Sequence, residues 1–246
     1  MAAVPEFNET DILSRLLYRD ALMLVIDKPA GIPVHTGPGG GVNLETSFEA
    51  LRFGLPRPPA LAHRLDRDTS GCLVLGRNRH ALATLGKLFA NGAVEKTYWA
   101  MVTGVPAAHE GLIDRPLRKR PGKSWRMEVA EDGQTAETRY RVIGTQGDMS
   151  WLELKPLSGR THQLRVHCAA MGWPIIGDWV YGEGRGARRP ETVALQLHAR
   201  AVKVPLYPKK PAIAVEAPPP PHMAPLIAAF EAEDYCGTTS TPTSMT

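Results

Sequence analysis

Continuous and alternating apolar segments along the chain predict strands. The segment 21–26 (ALMLVI) is apolar throughout and is followed by Pro29 and Gly31, which is typical of a buried strand that leads into a turn. Other segments are rich in β-branched and aromatic residues or alternate between apolar and polar positions. These further predicted strands are 72–78, 97–103, 135–143, 150–156 and 194–204.

Apolar residues at helical spacing predict helices between these strands. Over 80–89 the apolar positions recur three and four residues apart, and Asn91-Gly92 provides a natural end. Helices are also predicted over 43–52 and over 161–171. The two kinds of segment are mixed without a regular βαβ period, which favours an α+β fold over a doubly wound sheet.

Several segments predict loops or unstructured chain instead. The glycine-rich stretch 37–41 (GPGGG) predicts a flexible loop, and 55–60 (LPRPPA) a proline-rich linker. Residues 218–221 form a rigid proline run. The last ten residues, GTTSTPTSMT, have no apolar surface to bury, so disorder is expected there.

Composition places the chain among ordinary globular proteins. Of its 246 residues, 43% are hydrophobic and 22% charged, which is enough for a sizeable core. The cysteines, Cys72, Cys168 and Cys236, are odd in number and form no CxxC pair, so neither a disulfide framework nor a cysteine-rich zinc site is expected. Without a signal-peptide pattern or a long apolar run, a soluble cytoplasmic protein is expected.

Basic residues are concentrated in one segment. The net charge is only +4, but 115–126 (RPLRKRPGKSWR) holds six basic residues and no acid. A smaller group of arginines lies at 185, 188 and 189. Either segment can be a solvated surface loop or a phosphate-contacting strip. Trp125 favours RNA slightly, because an aromatic ring can stack on an unpaired base. The candidate RNA-binding residues are Arg118, Lys119, Arg120 and Lys123.

The segment 63–71 (HRLDRDTSG) concentrates groups suited to chemistry. Asp66 and Asp68 stand beside arginines, which stabilise the ionised form of a carboxylate. An ionised carboxylate serves as a nucleophile or a general base. The alternative is a structural turn held together by Asp–Arg pairs.

HRLDRDTSG also resembles the signature of the RluA-type pseudouridine synthases, in which its first aspartate is the catalytic residue. Four further segments resemble that family in the same order along the chain. They are 27–35 (DKPAGIPVH), 95–104 (EKTYWAMVTG), 159–182 (GRTHQLRVHCAAMGWPIIGDWVYG) and 195–202 (LQLHARAV). The resemblance therefore extends from about residue 25 to about residue 204.

The resemblance implies an α+β pseudouridine synthase fold, with a mixed, mostly antiparallel central sheet flanked by helices and loops and an active-site cleft across the sheet. The catalytic domain would be 21–225, after an N-terminal extension, 1–20, and before a C-terminal tail, 226–246, that is at least partly disordered. Only about twenty residues precede the first matched strand, so a compact member without an N-terminal RNA-binding module is expected.

The resemblance also assigns the site. Asp66 would be the catalytic carboxylate, and Arg165 would pair with it through a two-pronged hydrogen bond that keeps it ionised. Arg64 would enter the RNA where the target nucleotide leaves. Tyr98 would stack on the extracted uracil and assist proton removal, and Leu164 would line the base pocket.

The implied activity is the isomerisation of specific uridines to pseudouridine in transfer RNA, ribosomal RNA or both. The reaction involves no redox step or energy input, so no cofactor or metal is expected. A monomer without an obligate protein partner is the default expectation. His162 and His167 are five residues apart and make a poor metal pair. Whether Asp66 attacks the sugar, adds to the base or removes a sugar proton stays open. Two rival functions are a non-catalytic RNA-binding module and a carboxylate-dependent hydrolase.

Overall fold

The computed structural model describes residues 9–36, 42–122, 124–182 and 193–236. The glycine-rich segment 37–41, Lys123, the arginines at 185, 188 and 189, and the end of the chain from 237 lie outside the described residues. Among the described residues, no helix has both the length and the apolar composition needed to cross a bilayer.

The described residues form twelve strands, four α-helices and one 3-10 helix. The strands are β1 Leu16–Arg19, β2 Met23–Lys28, β3 Ala60–Leu61, β4 Ser70–Gly76, β5 Glu95–Thr103, β6 Glu110–Asp114, β7 Leu117–Lys119, β8 Met127–Val129, β9 Glu137–Gln146, β10 Met149–Pro156, β11 Leu197–Val204 and β12 Ile213–Glu216. The helices are α1 Glu9–Ser14, the 3-10 helix Leu44–Leu51, α2 Arg79–Ala90, α3 Gln163–Ala170 and α4 Ala224–Cys236.

Ten of the strands form one sheet in the order β1-β2-β4-β11-β5-β10-β9-β6, with β3 added to β4 and β12 added to β11. Strands β7 and β8 form a separate two-stranded hairpin. Only β4 and β11 run parallel, and every other described strand pair is antiparallel. The expectation of an α+β fold with a mixed, mostly antiparallel sheet is confirmed.

Strands β2 and β4 carry continuous apolar runs because both faces of the sheet are covered there. In β2, Leu24 and Ile26 belong to one buried cluster, whereas Met23 and Val25 belong to another. The 3-10 helix and α3 cover the first face, and α2 and α4 cover the second. Because successive residues of a strand point to opposite faces, a segment such as ALMLVI serves both cores.

Segments near both ends of the chain, expected to be an extension and a tail, pack into the catalytic domain in the structure. Strand β1 pairs with β2, and Ile12 of α1 is fully buried, so the expected N-terminal extension contributes to the sheet and the core. At the other end, α4 crosses the expected boundary at residue 225, and Ile227 and Phe230 pack on the second face. The N-terminal elements are short, and α4 has no marked apolar face, so tertiary packing decides the structure of both segments.

A fully buried lysine fastens the turn after β2 to the loop between β3 and β4. Lys28 Nζ lies 2.9 Å from the carbonyl oxygens of Pro29, Arg67 and Thr69. The ammonium form donates to all three, and the neutral amine donates to two of them. The backbone N–H of Gly31 donates to Arg67 O at 2.9 Å, and Arg67 Nε returns a bond to Gly31 O. These contacts fix the loop that carries Asp66.

Burial lowers the pKa of Lys28 from 10.5 to about 7, although the charges of Asp68 and Asp66 oppose the shift. Between pH 7 and pH 10 the unfolded chain therefore holds a proton here that the folded chain has released, so stability contributed at this site rises with pH. We expect the free energy of unfolding of the wild type, minus that of Lys28→Met, to grow from pH 7 to pH 9. Its slope should not exceed about 1.4 kcal/mol per pH unit. Urea titrations of both proteins check this, and a constant or falling difference would contradict it.

Candidate active site

Asp66 lies in the loop between β3 and β4, above the first face of the sheet. Thr69 N–H donates to Asp66 O at 3.2 Å, which closes a turn around the carboxylate. Gly71, just inside β4, has a φ of +103°, and a Cβ there would collide with the backbone of Ala199 in β11. The loop therefore lies against the parallel β4–β11 pair. About 29% of the Asp66 side chain is exposed, which leaves the carboxylate accessible.

Helix α3 brings Arg165 to this carboxylate from 99 residues further along the chain. Arg165 Nη1 lies 3.4 Å from Asp66 Oδ2, and the arginine side chain is only 6% exposed. The two groups expected to pair are therefore neighbours. The expected two-pronged geometry is wrong, because the guanidinium offers Asp66 one contact.

The two-pronged partner of Arg165 is Asp178. Arg165 Nε and Nη2 donate to the two carboxylate oxygens of Asp178 at 2.7 and 2.9 Å. Asp178 Oδ1 also accepts the backbone N–H groups of Val180 and Tyr181, so it holds both the arginine and its own turn. Burial acts to lower the pKa of Arg165, but the bonds and charge of Asp178, with the charge of Asp66, raise it above its ordinary value.

Asp178 was missed by sequence reasoning. Its place after Gly177 in 177–182 (GDWVYG) is typical of an aspartate that caps a turn. Nothing in that local pattern indicates an arginine partner on a helix thirteen residues earlier.

Tyr98 and Leu164 form an apolar wall beside the carboxylate. Tyr98, in β5, contacts both clusters on the first face, and Leu164, the residue before Arg165, belongs to one of them. Burial and the nearby charge of Asp66 raise the pKa of Tyr98 above its ordinary value. A raised pKa favours the protonated phenol, which can stack on a base and donate a hydrogen bond.

Arg64 and His63 precede Asp66 on the same loop and differ in environment. Arg64 is exposed, as expected of a side chain that reaches into RNA. His63 Nε2 accepts the backbone N–H of Val74 at 3.0 Å, and its ring stacks on Phe89 at 4.3 Å. Burial lowers the pKa of His63 to about 3, so this imidazole is a packing group.

A second histidine faces Asp66 from the start of α3. His162 Nε2 lies 3.8 Å from Asp66 Oδ2, and His162 Nδ1 lies 2.7 Å from the hydroxyl of Tyr181. The ring of Trp125 meets His162 edge-on, with 5.6 Å between centroids. Sequence reasoning weighed His162 only as a metal ligand, because spacing along the chain gave no sign of its proximity to the loop.

His162 and His167 have separate partners. His167 lies between Thr138 Oγ1 and the carbonyl oxygen of Arg115, each 3.0 Å from a ring nitrogen. In the part of the chain that the structure describes, no group of three or more His, Cys, Asp or Glu side chains is arranged to hold a metal ion.

The basic segment supplies β7 and the connection to β8 in the hairpin beside the site. Trp125, half exposed, connects this hairpin to His162. Arg118 is held by Glu128 at 3.0 Å and by Asp132 at 2.7 Å, so its charge is largely used within the protein. Lys119 and Arg120 are exposed. Lys123, the remaining candidate, lies outside the described residues.

Together these groups form a candidate active site. A partly exposed carboxylate faces a buried cation, an imidazole and a flat apolar wall. An ionised carboxylate in such surroundings can act as a nucleophile or a general base on a flat ligand that lies against the apolar wall.

Comparison with known proteins identifies the same region. A family model described as RNA pseudouridylate synthase matches residues 22–170, which include the Asp66 loop, Tyr98 and Arg165. An uncharacterised RNA pseudouridine synthase of Zymomonas mobilis is 42% identical over 213 residues, covering 85% of this chain and 95% of that protein. Ribosomal large subunit pseudouridine synthase C of Haemophilus ducreyi is 33% identical, covering 91% and 71%.

A solved structure shares the fold as well. The structure of human RNA pseudouridylate synthase domain containing 4 is 26% identical, covers 91% of this chain and 95% of that one, and superposes with a TM-score of 0.76. In contrast, this chain spans only 43% to 52% of the length of three plant mitochondrial pseudouridine synthases that it resembles.

Proposed function

This chain belongs to the RNA pseudouridylate synthase family and is an RNA pseudouridine synthase, and from that premise we propose that it isomerises specific uridines of folded ribosomal or transfer RNA with Asp66 as its catalytic carboxylate. The observation that carries the assignment of Asp66 is the 3.4 Å approach of Arg165 Nη1 to an accessible carboxylate oxygen.

The reaction breaks the bond between the ribose and a ring nitrogen, turns the uracil, and joins the same sugar carbon to a ring carbon. The hydrogen on that ring carbon leaves as a proton, and the ring nitrogen gains one, so the product is an isomer. No electrons are exchanged. Asp66 acts on the sugar or the base while the two parts are separated, and all three routes open to it require the ionised carboxylate.

The target uridine must leave its stack before it can reach this site, at a cost of a few kcal/mol. Arg64, exposed on the loop, fills the vacated space in the RNA. Tyr98 offers a stacking face worth about 1–3 kcal/mol, and Leu164 bounds the pocket beside it. All of these residues come from one chain, so the catalytic unit is proposed to be a monomer.

The class of RNA that serves as substrate is inferred from the relatives. The Haemophilus protein is named for the large ribosomal subunit, and this chain aligns over 91% of its own length with it. Large-subunit ribosomal RNA is therefore the first substrate to test, with transfer RNA as the second.

Pseudouridine mapping in total RNA tests the proposal. We expect one or a few pseudouridines to disappear when the gene is deleted and to return when the wild-type protein is supplied. Unchanged maps would contradict the proposal. Release of uracil from free uridine by the purified protein would instead favour the carboxylate-dependent hydrolase.

The exposed cations of the β7–β8 hairpin are proposed to contact RNA phosphates. We expect Lys119→Ala/Arg120→Ala to weaken RNA binding and to reduce the slope of log affinity against log salt by about 0.7–0.9 for each lost phosphate contact. Arg118 is left in place, because its ion pairs with Glu128 and Asp132 stabilise the hairpin. Filter binding at several salt concentrations measures both effects.

Lys209→Ala/Lys210→Ala is the matched control. These two exposed lysines follow β11 at the end of that strand away from its contact with Ser70 and the Asp66 loop. An equal loss of salt dependence in the control, or none in the hairpin variant, would show that the hairpin does not contact phosphate.

A further inference from the structure

We propose that His162 is a positioning residue for Asp66: its Nε2–H donates to the Asp66 carboxylate, and the Tyr181 hydroxyl, held by the β7–β8 hairpin, fixes the imidazole in the orientation and tautomer this requires. The inference deepens the proposed function and rests on it.

The contacts of the Tyr181 hydroxyl favour a proton on Nε2 of His162. Tyr181 Oη accepts the backbone N–H of Met127, in β8, at 2.9 Å. It also lies 2.7 Å from His162 Nδ1. The hydroxyl has one hydrogen of its own, and donating it to Nδ1 uses both that hydrogen and the lone pair of the ring nitrogen. The neutral imidazole then carries its proton on Nε2.

The surroundings of Nε2, the other ring nitrogen of His162, also favour a proton on Nε2. His162 Nε2 faces Asp66 Oδ2 at 3.8 Å. A lone pair on Nε2 would face a carboxylate with like polarity, whereas an N–H there is attracted to it. Burial and the charge of Arg165 lower the pKa of His162, against the opposing charges of Asp66 and Asp178, so the neutral form is the relevant one.

The backbone at His162 is held in an uncommon conformation. Its φ of +53° and ψ of +19° are left-handed, which a residue other than glycine seldom adopts. Such strain persists when the surrounding contacts require it, and it is concentrated at functional sites. Here the strained residue turns its ring between Trp125 and Tyr181 and towards Asp66, with 12% of the side chain exposed.

The distance of 3.8 Å is longer than a hydrogen bond, which is common at catalytic groups before the substrate is bound. Closure by less than one ångström brings the imidazole into contact with the carboxylate. Because Met127 and Trp125 both belong to the hairpin segment, RNA that holds the hairpin in place also holds His162 against Asp66.

Two amide substitutions separate positioning from a structural role. The amide nitrogen of His162→Gln can occupy the place of Nε2, whereas that of His162→Asn reaches only the place of Nδ1. Asparagine tolerates the left-handed backbone better than glutamine does. If His162 has only a structural role, the Asn variant should be both the more stable and the more active of the two. If His162 positions Asp66, the Gln variant should have the higher maximal rate.

The assay follows tritium release from total RNA labelled on the uracil carbon that forms the new bond, taken from cells without the gene. Single-turnover measurements over a range of enzyme concentrations give a maximal rate and a half-saturating concentration. We expect the maximal rate of His162→Asn to fall about 10- to 100-fold, as for a lost charge-assisted hydrogen bond, with half-saturation unchanged. His162→Gln should recover much of that loss.

Tyr181→Phe tests the connection to the hairpin. It should lower the maximal rate, but adding it to His162→Asn should cost little more, because both changes break one chain of contacts. Three results would overturn the positioning role. They are a higher maximal rate for His162→Asn than for His162→Gln, a change in the half-saturating concentration alone, and a double variant whose loss of rate is the full product of the two single losses. Absence of tritium release from the wild type would instead overturn the proposed function itself.

Discussion

Asp66→Asn is expected to abolish pseudouridine formation while RNA binding is retained. The amide has the size of the carboxylate and can still accept a hydrogen bond from Arg165, so the loop should keep its shape. It cannot act as a base, and it is a poor nucleophile, so the rate should fall by about 10²–10⁴-fold or more. Tritium release measures the rate, and filter binding measures the affinity.

Asp68→Asn is the comparison, because it makes the same change two residues away on the same loop. Its charge faces buried Lys28, so we expect lower thermal stability with most of the activity retained. Equal losses of rate in the two variants, or normal product from Asp66→Asn, would remove the assignment of Asp66.

Arg165→Met is expected to cause the second large effect, in stability as well as rate. It leaves Asp178, whose side chain is 1% exposed, without its cation, and breaking a buried pair from one side costs about 3–5 kcal/mol. It also removes the cation beside Asp66, so activity should fall about 100-fold or more. Arg165→Lys should be intermediate, because an ammonium cannot bridge Asp178 in two places and also reach Asp66.

The double variant Arg165→Met/Asp178→Asn separates the two effects. The asparagine has no charge to leave unpaired, and its side-chain oxygen can still accept the backbone N–H groups of Val180 and Tyr181. We expect much of the lost free energy of unfolding to return without any return of activity. Recovery of activity together with stability would show that Arg165 serves the fold alone.

The sequence predicted the long central elements well because each is long and strongly patterned. Strand β4 and helix α2 lie within two residues of their predicted bounds, since both carry continuous apolar faces. Strands β1, β3 and β12 are two to four residues long and exist because neighbouring strands offer unpaired backbone groups. Local pattern cannot show that.

The motifs named residues that lie together in the fold, but they did not predict the contacts that those residues make. The motifs named Asp66, Tyr98, Leu164 and Arg165, which the fold brings together. They did not reveal that Arg165 gives its two-pronged bond to Asp178. Nor did they reveal that His162 lies beside Asp66, with the ring of Trp125 against the imidazole. Such contacts depend on how α3 and the hairpin pack, which no spacing along the chain encodes.

The separation of 99 residues between Asp66 and Arg165 also has a consequence for biosynthesis. A ribosome that has released only the N-terminal half of the chain has supplied the carboxylate without its cation or the Asp178 turn. Under the proposed assignment of Asp66, catalysis therefore requires synthesis of the chain beyond Asp178 and closure of a long loop. Nascent or truncated fragments carrying the aspartate motif should be catalytically silent.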